Sequence, residues 1–246
     1  MSKLRIEDVS YAYAQEDVLK NMNLTIEEGE FLCILGHSGC GKSTLLHLLA
    51  GLIKPRKGQI LKDGKPLTGP GTDRGVVFQN YSLFPWMTVE KNVIFAVEKT
   101  GRFTKEKSRQ RAHEFLTRTE MEEHKKKYPY QLSGGMRQRT AIARALAMDA
   151  DILLLDEPFG ALDTKIRAEL QRLLKDLWSR GEKKTVIFVT HDLEEAMILA
   201  SRIVFIRDGM IKESIPIPED INRCCRDCLD QEACRELKNT LTRLYV

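Results

Sequence analysis

Apolar positions along this chain fall into two patterns. Leu4, Ile6 and Val9, then Leu24 and Ile26, are spaced as the buried sides of two amphipathic strands. Phe31-Leu32-Cys33-Ile34-Leu35 is apolar at every position, as a strand covered on both faces must be. Ile152 to Leu155, Val186 to Val189 and Ile203 to Ile206 read the same way, and Val76-Val77-Phe78 is a shorter candidate. From Ser43 the run Thr-Leu-Leu-His-Leu-Leu-Ala ends at Gly51, which predicts a buried helix stopped by a C-terminal glycine. From about Thr88 to Ala147 the pattern is helical and rich in charge, and predicts an inserted helical subdomain over about residues 88–148. Buried strands separated by helices predict an α/β fold with a mostly parallel sheet. Asp163 and Asp192 fit helix N-caps, the second with Glu195 completing a capping box.

Composition narrows the class without naming the activity. The 246 residues are 42% apolar and 30% charged, with 8 Pro and 16 Gly, as in ordinary globular enzymes. A net charge of +4 falls short of the excess expected of a dedicated nucleic-acid binder, so no nucleic-acid partner is expected. No window holds the roughly 18 consecutive apolar residues of a membrane-spanning helix. The opening Met-Ser-Lys-Leu-Arg-Ile-Glu-Asp has no secretory apolar stretch, which predicts a cytoplasmic protein with reduced thiols.

Chemistry enters at Gly36-His37-Ser38-Gly39-Cys40-Gly41-Lys42-Ser43-Thr44, which fits G-x-x-x-x-G-K-S/T between a buried strand and a helix. Glycines let backbone N–H groups converge on phosphate oxygens. Lys42 then meets the β- and γ-phosphates, and Ser43 supplies a Mg²⁺ ligand. The strand Ile152 to Leu155 runs into Asp156-Glu157, at the strand end where parallel sheets bind ligands. Asp156 suits Mg²⁺ through water. Glu157 suits a general base for hydrolysis of the γ-phosphate. A second anion-binding turn, Leu132-Ser133-Gly134-Gly135-Met136-Arg137-Gln138, opens another helix.

Together these motifs resemble the ATP-binding cassette family, whose ATPase subunits carry L-S-G-G-Q ahead of a helix; here Met136 stands in place of the Gln. The resemblance runs from about residue 3 to residue 215. It implies a P-loop NTPase, with a RecA-like mostly parallel sheet, a small antiparallel β subdomain and the inserted helical subdomain, all within residues 1–218. It also implies a head-to-tail dimer in which each Ser133-Gly134-Gly135 turn meets the γ-phosphate held by the other copy. By the same resemblance Gln79 senses Mg²⁺ and the attacking water, Asp163 lies at the dimer seam, His191 contacts the γ-phosphate and Tyr13 stacks on adenine. The Pro85-Trp86 pair, in the segment that receives the permease, looks like the nitrate/sulfonate/taurine importer branch. The implied protein is an ATPase subunit peripheral to the cytoplasmic face of the membrane. Its implied partners are a second copy, two permease subunits and, indirectly, an external solute-binding protein. A soluble ATPase acting on nucleic acid or ribosomes fits less well, because one cassette without a long coiled-coil insertion is present.

Past Pro216 and Pro218, residues 219–246 contain neither Gly nor Pro and carry four of the six cysteines. Cys224, Cys225, Cys228 and Cys234 are candidate ligands for an iron–sulfur cluster or Zn²⁺, with a plain helical contact as the alternative. On one continuous helix the first three share a face, while Cys234 lies about 120° round and roughly 9 Å further along. One centre for all four therefore needs a break, which Asp230 could make by capping a helix from Gln231 to Leu244 with Leu237, Leu241 and Leu244 on its apolar side. Such a tail would sense metal or redox state, and by analogy would hint at a metal-containing cargo.

Overall fold

A computed structural model describes residues 2–160, 162–180, 184–218 and 232–245. In chain order it contains β1 (Ser2–Tyr13), β2 (Glu16–Glu27), β3 (Phe31–Leu35), α1 (Lys42–Ala50), β4 (Lys57–Lys62), β5 (Lys65–Pro66) and β6 (Arg74–Val77). Next come α2 (Val89–Lys99), α3 (Lys105–Arg118), α4 (Gly134–Ala147), β7 (Ile152–Asp156) and α5 (Thr164–Arg180). The chain continues with β8 (Thr185–Thr190), α6 (Leu193–Leu199), β9 (Arg202–Arg207), β10 (Met210–Pro216) and α7 (Glu232–Tyr245). Met1–Pro70 with Glu182–Val246 forms one unit and Gly71–Gly181 the other.

The first unit holds an antiparallel sheet in the order β2-β1-β4-β5. Leu4, Ile6 and Val9 of β1 are buried although their spacing breaks strict alternation. The register slips between Ile6 and Val9, where Asp8 takes φ 48°, so one extra residue returns Val9 to the buried face. β2 makes the same correction at Asn21, φ 46°, between buried Leu19 and Met22. Asn23 fastens the first bulge by donating from Nδ2 to Asp8 Oδ1 at 2.8 Å and accepting from the Asp8 N–H at 3.0 Å.

In the same unit β3 is flanked by β8 and β9, both parallel to it, and β10 turns back antiparallel on β9. All five β3 side chains have no exposed surface, which explains a sequence without polar alternation. Helix α7 packs against α6 and buries Cys234 and Leu241, seven residues and so about two turns apart. Leu237 and Leu244 are half-buried. Lys238 Nζ meets Glu194 Oε1 at 2.8 Å, and Arg207 Nη2 donates to the Leu244 carbonyl at 3.2 Å.

The second unit pairs β6 and β7 in parallel, with Val77 level with Leu155. Helices α2, α3 and α4 pack on one another through residues that include Val93, Val97, Ala112, Leu116 and Ala141. Each starts on a hydroxyl cap: Thr88, Thr104 and Ser133 accept from the third following N–H at 3.3 Å. Arg139 of α4 bridges Glu120 and Glu169 at 2.5 and 2.6 Å, which ties α4 to α5. Among the described residues no helix is long and apolar enough to cross a membrane.

Candidate active site

Residues 36–44 join the end of β3 to α1 in the first unit, and their geometry follows from close backbone approach. A Cβ at Gly36 would stand 2.4 Å from the Ile206 carbonyl oxygen, so only glycine lets the loop leave β3 this close to β9. Gly41, at φ 100°, turns the chain into α1. Lys42 is only 5% exposed, and a buried ammonium needs acceptors. It donates to the Gly36 carbonyl at 2.8 Å and the His37 carbonyl at 2.9 Å, spanning the loop it serves. His37, Ser38, Gly39 and Ser43 face solvent, Cys40 is half-buried and Thr44 is buried.

Because Leu35 of β3 lies level with Thr190 of β8, His191 leaves the sheet at the same end as this loop. His191 is exposed, and Asp192 caps α6 by accepting from the Glu194 and Glu195 N–H groups. Glu195 turns its buried carboxylate to the Thr190 hydroxyl, which donates at 2.7 Å. Cys33 sits in the interior of β3. Burial pushes its thiol well above the ordinary range, and the nearby Glu195 and Asp192 carboxylates add to this against the opposing Lys42. Burial also raises the Cys40 thiol, again opposed by Lys42. Both cysteines are therefore neutral thiols. Tyr13, 47% exposed, meets Tyr11 edge-on with ring centroids 5.0 Å apart.

In the second unit the parallel pairing of β6 and β7 releases Gln79 and Asp156-Glu157 from the same sheet end. Asp156 is buried at the tip of β7, and Glu157 takes φ 43° immediately after it. Left-handed backbone at a non-glycine residue costs about 1–2 kcal/mol, and here it turns the carboxylate out of the strand line. Gln79 Nε2 donates to Glu157 Oε2 at 3.4 Å, which brings together two residues 78 positions apart. Ser133 is exposed at the N-cap of α4. Gly135 lets Ile166 of α5 approach: a Cβ there would lie 3.1 Å from Ile166 Cδ1. Asp163 caps α5, accepting from Lys165 and Ile166 N–H groups at 3.1 Å.

The residues present fit a magnesium-bound nucleotide. In the first unit Gly36 and Gly41 leave no room for a Cβ, Lys42 is held inside the loop and Ser43 offers a hydroxyl; in the second, Asp156 and Gln79 offer carboxylate and amide oxygens, and these are the hard oxygens Mg²⁺ takes. No comparable donor set supports the thiol site expected in the tail. Among the described residues no group of three His, Cys, Asp or Glu is placed to hold a metal ion. Cys234 is buried in the α7 packing, and Cys224, Cys225, Cys228 and Asp230 lie outside the described residues.

The family model of the ABC transporter matches residues 19–160, a span from the approach to the phosphate loop to beyond Glu157. This chain belongs to the ABC transporter family. Its fold is the P-loop NTPase fold, and it is an ATPase cassette. Among its relatives, the taurine import ATP-binding protein TauB of Escherichia coli O157:H7 is 45% identical over 216 residues, 87% of this chain and 84% of that protein. The nitrate import ATP-binding protein NrtD of Synechococcus elongatus is 45% identical over 206 residues, 82% of this chain and 75% of that protein. A solved dimeric ATP-binding cassette in a post-hydrolysis state, bound to ADP and Pi, superposes with a TM-score of 0.79 at 37% identity. That alignment covers 87% of this chain and 99% of the other.

Several polar residues of the cassette carry no motif. Arg144, in the apolar run Ala141-Ile142-Ala143-Arg144-Ala145-Leu146-Ala147, is 9% exposed and donates to the Ser82 carbonyl at 2.6 Å and the Tyr81 carbonyl at 3.1 Å. Burial pushes its guanidinium down to about 10. Asn92 is fully buried and bonds the backbone of Phe84, Met87 and Thr88. For Arg144 the available sequence signal was a charged side chain inside an apolar helical stretch.

Proposed function

We propose that this chain is the ATP-hydrolysing subunit of an ABC importer. It pairs head to tail with a second copy beneath two permease subunits, peripheral to the cytoplasmic face of the membrane, and is fed by an extracytoplasmic solute-binding protein. The observation that carries this reading is 45% identity, over 87% of the chain, to a taurine import ATP-binding protein, with a nitrate import protein at the same identity. The cargo is accordingly a small anionic or zwitterionic solute.

The residue roles follow from their chemistry. The amides of residues 36–44 bind phosphate oxygens, and Lys42 exchanges its carbonyl partners for the β- and γ-phosphates. Ser43, Gln79 and, through water, Asp156 would hold Mg²⁺, which would supply neutralisation of charge on the transferring phosphoryl group. Glu157 takes a proton from water as the water oxygen bonds to the γ-phosphorus. The bond from that phosphorus to the bridging oxygen breaks, and its electron pair leaves with ADP. Gln79, already on the Glu157 carboxylate, orients the water. His191 donates to a γ-phosphate oxygen and Tyr13 stacks on adenine. Ser133, Gly134 and Gly135 of the second copy complete the anion site, with Asp163 beside the seam. Each nucleotide then joins both copies, so hydrolysis removes the joint and reopens the dimer. A metal-sensing or iron–sulfur role for Cys224, Cys225, Cys228 and Cys234 rests on their spacing alone and forms no part of this mechanism.

Glu157→Gln tests the assignment. The amide keeps ATP binding but accepts no proton, so turnover falls by about 10²–10⁴ and ATP accumulates a dimer visible by gel filtration. Turnover equal to wild type would remove Glu157 as the base.

A further inference from the structure

The chain leaves β6 at Val77 and does not become helical again until Val89, and the intervening segment is tied down at both ends. At its far end the buried Asn92 amide bonds the backbone of Phe84, Met87 and Thr88. At its near end, two residues after Gln79, Tyr81 and Ser82 take φ 61° and 46°, consecutive left-handed positions with no glycine to accommodate them. The Arg144 guanidinium reaches the carbonyls of these same two residues, at 3.1 and 2.6 Å, from the interior of α4. The Tyr81 ring lies 5.5 Å from the Arg137 guanidinium, and its hydroxyl is 3.4 Å from where a Cβ of Gly134 would stand. One strained turn thus touches α4 along its length, from the glycines at its start to Arg144 ten residues on.

We propose that Arg144 is a positioning residue for hydrolysis: by gripping the Tyr81 and Ser82 carbonyls it holds the left-handed pair that sets Gln79 against Glu157. Through Tyr81 it also makes the Gln79 segment and the 133–135 turn move as one body. A buried guanidinium suits this task because its planar fork satisfies two carbonyls at fixed spacing, whereas an ammonium is a point donor. Its burial among the alanines of α4 makes the two carbonyls its compensating partners. The inference rests on the roles proposed for Gln79, Glu157 and the 133–135 turn in ATP hydrolysis.

The test is steady-state MgATP turnover of the full chain as wild type, Arg144→Lys, Ser82→Gly and the double variant, with hydrogen exchange on each. Arg144→Lys is expected to lower kcat about tenfold with KM for ATP within twofold, and to expose the amides of residues 79–84 while β6 and β7 stay protected. Adding Ser82→Gly is expected to restore kcat threefold or more, because glycine adopts φ > 0 without the grip. A structural packing role for Arg144 would give no such rescue. Unchanged kcat in Arg144→Lys, or a loss that glycine does not relieve, overturns the inference. If Arg144→Lys does not fold, Ser82→Pro is decisive: the proline ring holds φ near about −65°, so the left-handed pair that Arg144 grips cannot form. It should lower kcat at least threefold at unchanged KM, and wild-type kcat overturns the inference. Wild-type protein that binds ATP without hydrolysing it would instead remove the functional reading, and this inference with it.

Discussion

Gly36→Ala isolates the steric basis of the phosphate loop. The added methyl would stand 2.4 Å from the Ile206 carbonyl oxygen and 2.7 Å from Cys40 Sγ. The thiol can rotate away, but the carbonyl belongs to β9, which is held in register by pairing of Phe205 with Leu35. Forcing an extra carbon into such a site costs about 1–3 kcal/mol, and a backbone obstacle places it in the upper half, about 2–3 kcal/mol. If the loop gives way, the cost appears as ATP affinity weakened about 30- to 150-fold, since each 1.4 kcal/mol is about tenfold. If the sheet gives way, affinity is kept and Tm falls by about 4–12 °C, taking 2–4 °C per kcal/mol for a chain of this size. Calorimetric titration with ATP and a thermal melt measure the two shares. Gly64→Ala is the comparison: its Cβ meets nothing within 4 Å, but its φ of 75° still strains alanine. It should cost about 1 kcal/mol of stability with no change in affinity. A Gly36→Ala protein with Kd within twofold of wild type and Tm within about 1 °C would refute the crowding argument.

Other expectations concern separate parts of the cassette. Tyr13→Ala should weaken ATP binding about fivefold or more, because base–aromatic stacking contributes about 1–3 kcal/mol; unchanged affinity would remove Tyr13 from the adenine site. The Cys33 thiol is raised in the folded state, so the folded protein keeps a proton that the unfolded chain gives up above about pH 8.5. The stability this contributes is present below that pH and is lost as pH rises toward the folded value. Melts between pH 7 and pH 10 should show an alkaline loss that Cys33→Ala reduces, and identical pH profiles would contradict it. Leu241→Ala, at a fully buried position of α7, should cost about 2–5 kcal/mol in the docking of that helix. Loss of exchange protection confined to α7 would register it, and unchanged protection would count against the packing described.

How far the sequence disclosed this molecule depended on whether a feature was local. Phe31–Leu35 read as a doubly covered strand because burial on both faces leaves no polar alternation, and β3 is that strand. The loop at residues 36–44 was legible because its glycines answer backbone needs within nine residues. Val9 and Met22 follow their neighbours out of phase, and only strand pairing reveals the bulges at Asp8 and Asn21 that bring them back. Gln79 was found by resemblance, but its bond to Glu157 depends on the register of β6 with β7. Arg144 stood out only as a charge in an apolar helical run; its partners are main-chain carbonyls more than sixty residues away, which leave no mark on residue identity. The tail thiols show the reverse: dense spacing suggested a shared ligand, whereas the described Cys234 serves as a small apolar filler beneath α7.

The pairing of β3 with two parallel neighbours has an evolutionary corollary. Leu35 is level with Thr190, the last residue of β8, on one side and with Phe205 of β9 on the other, so the end of β3 is held in register by two neighbours at once. Deleting one residue from β3 would retract that end by roughly 3.3 Å and invert the side chains on one side of the deletion. No lengthening of the loop could repair such a step. A change in the length of β3 is therefore expected to cost far more than a substitution that preserves it.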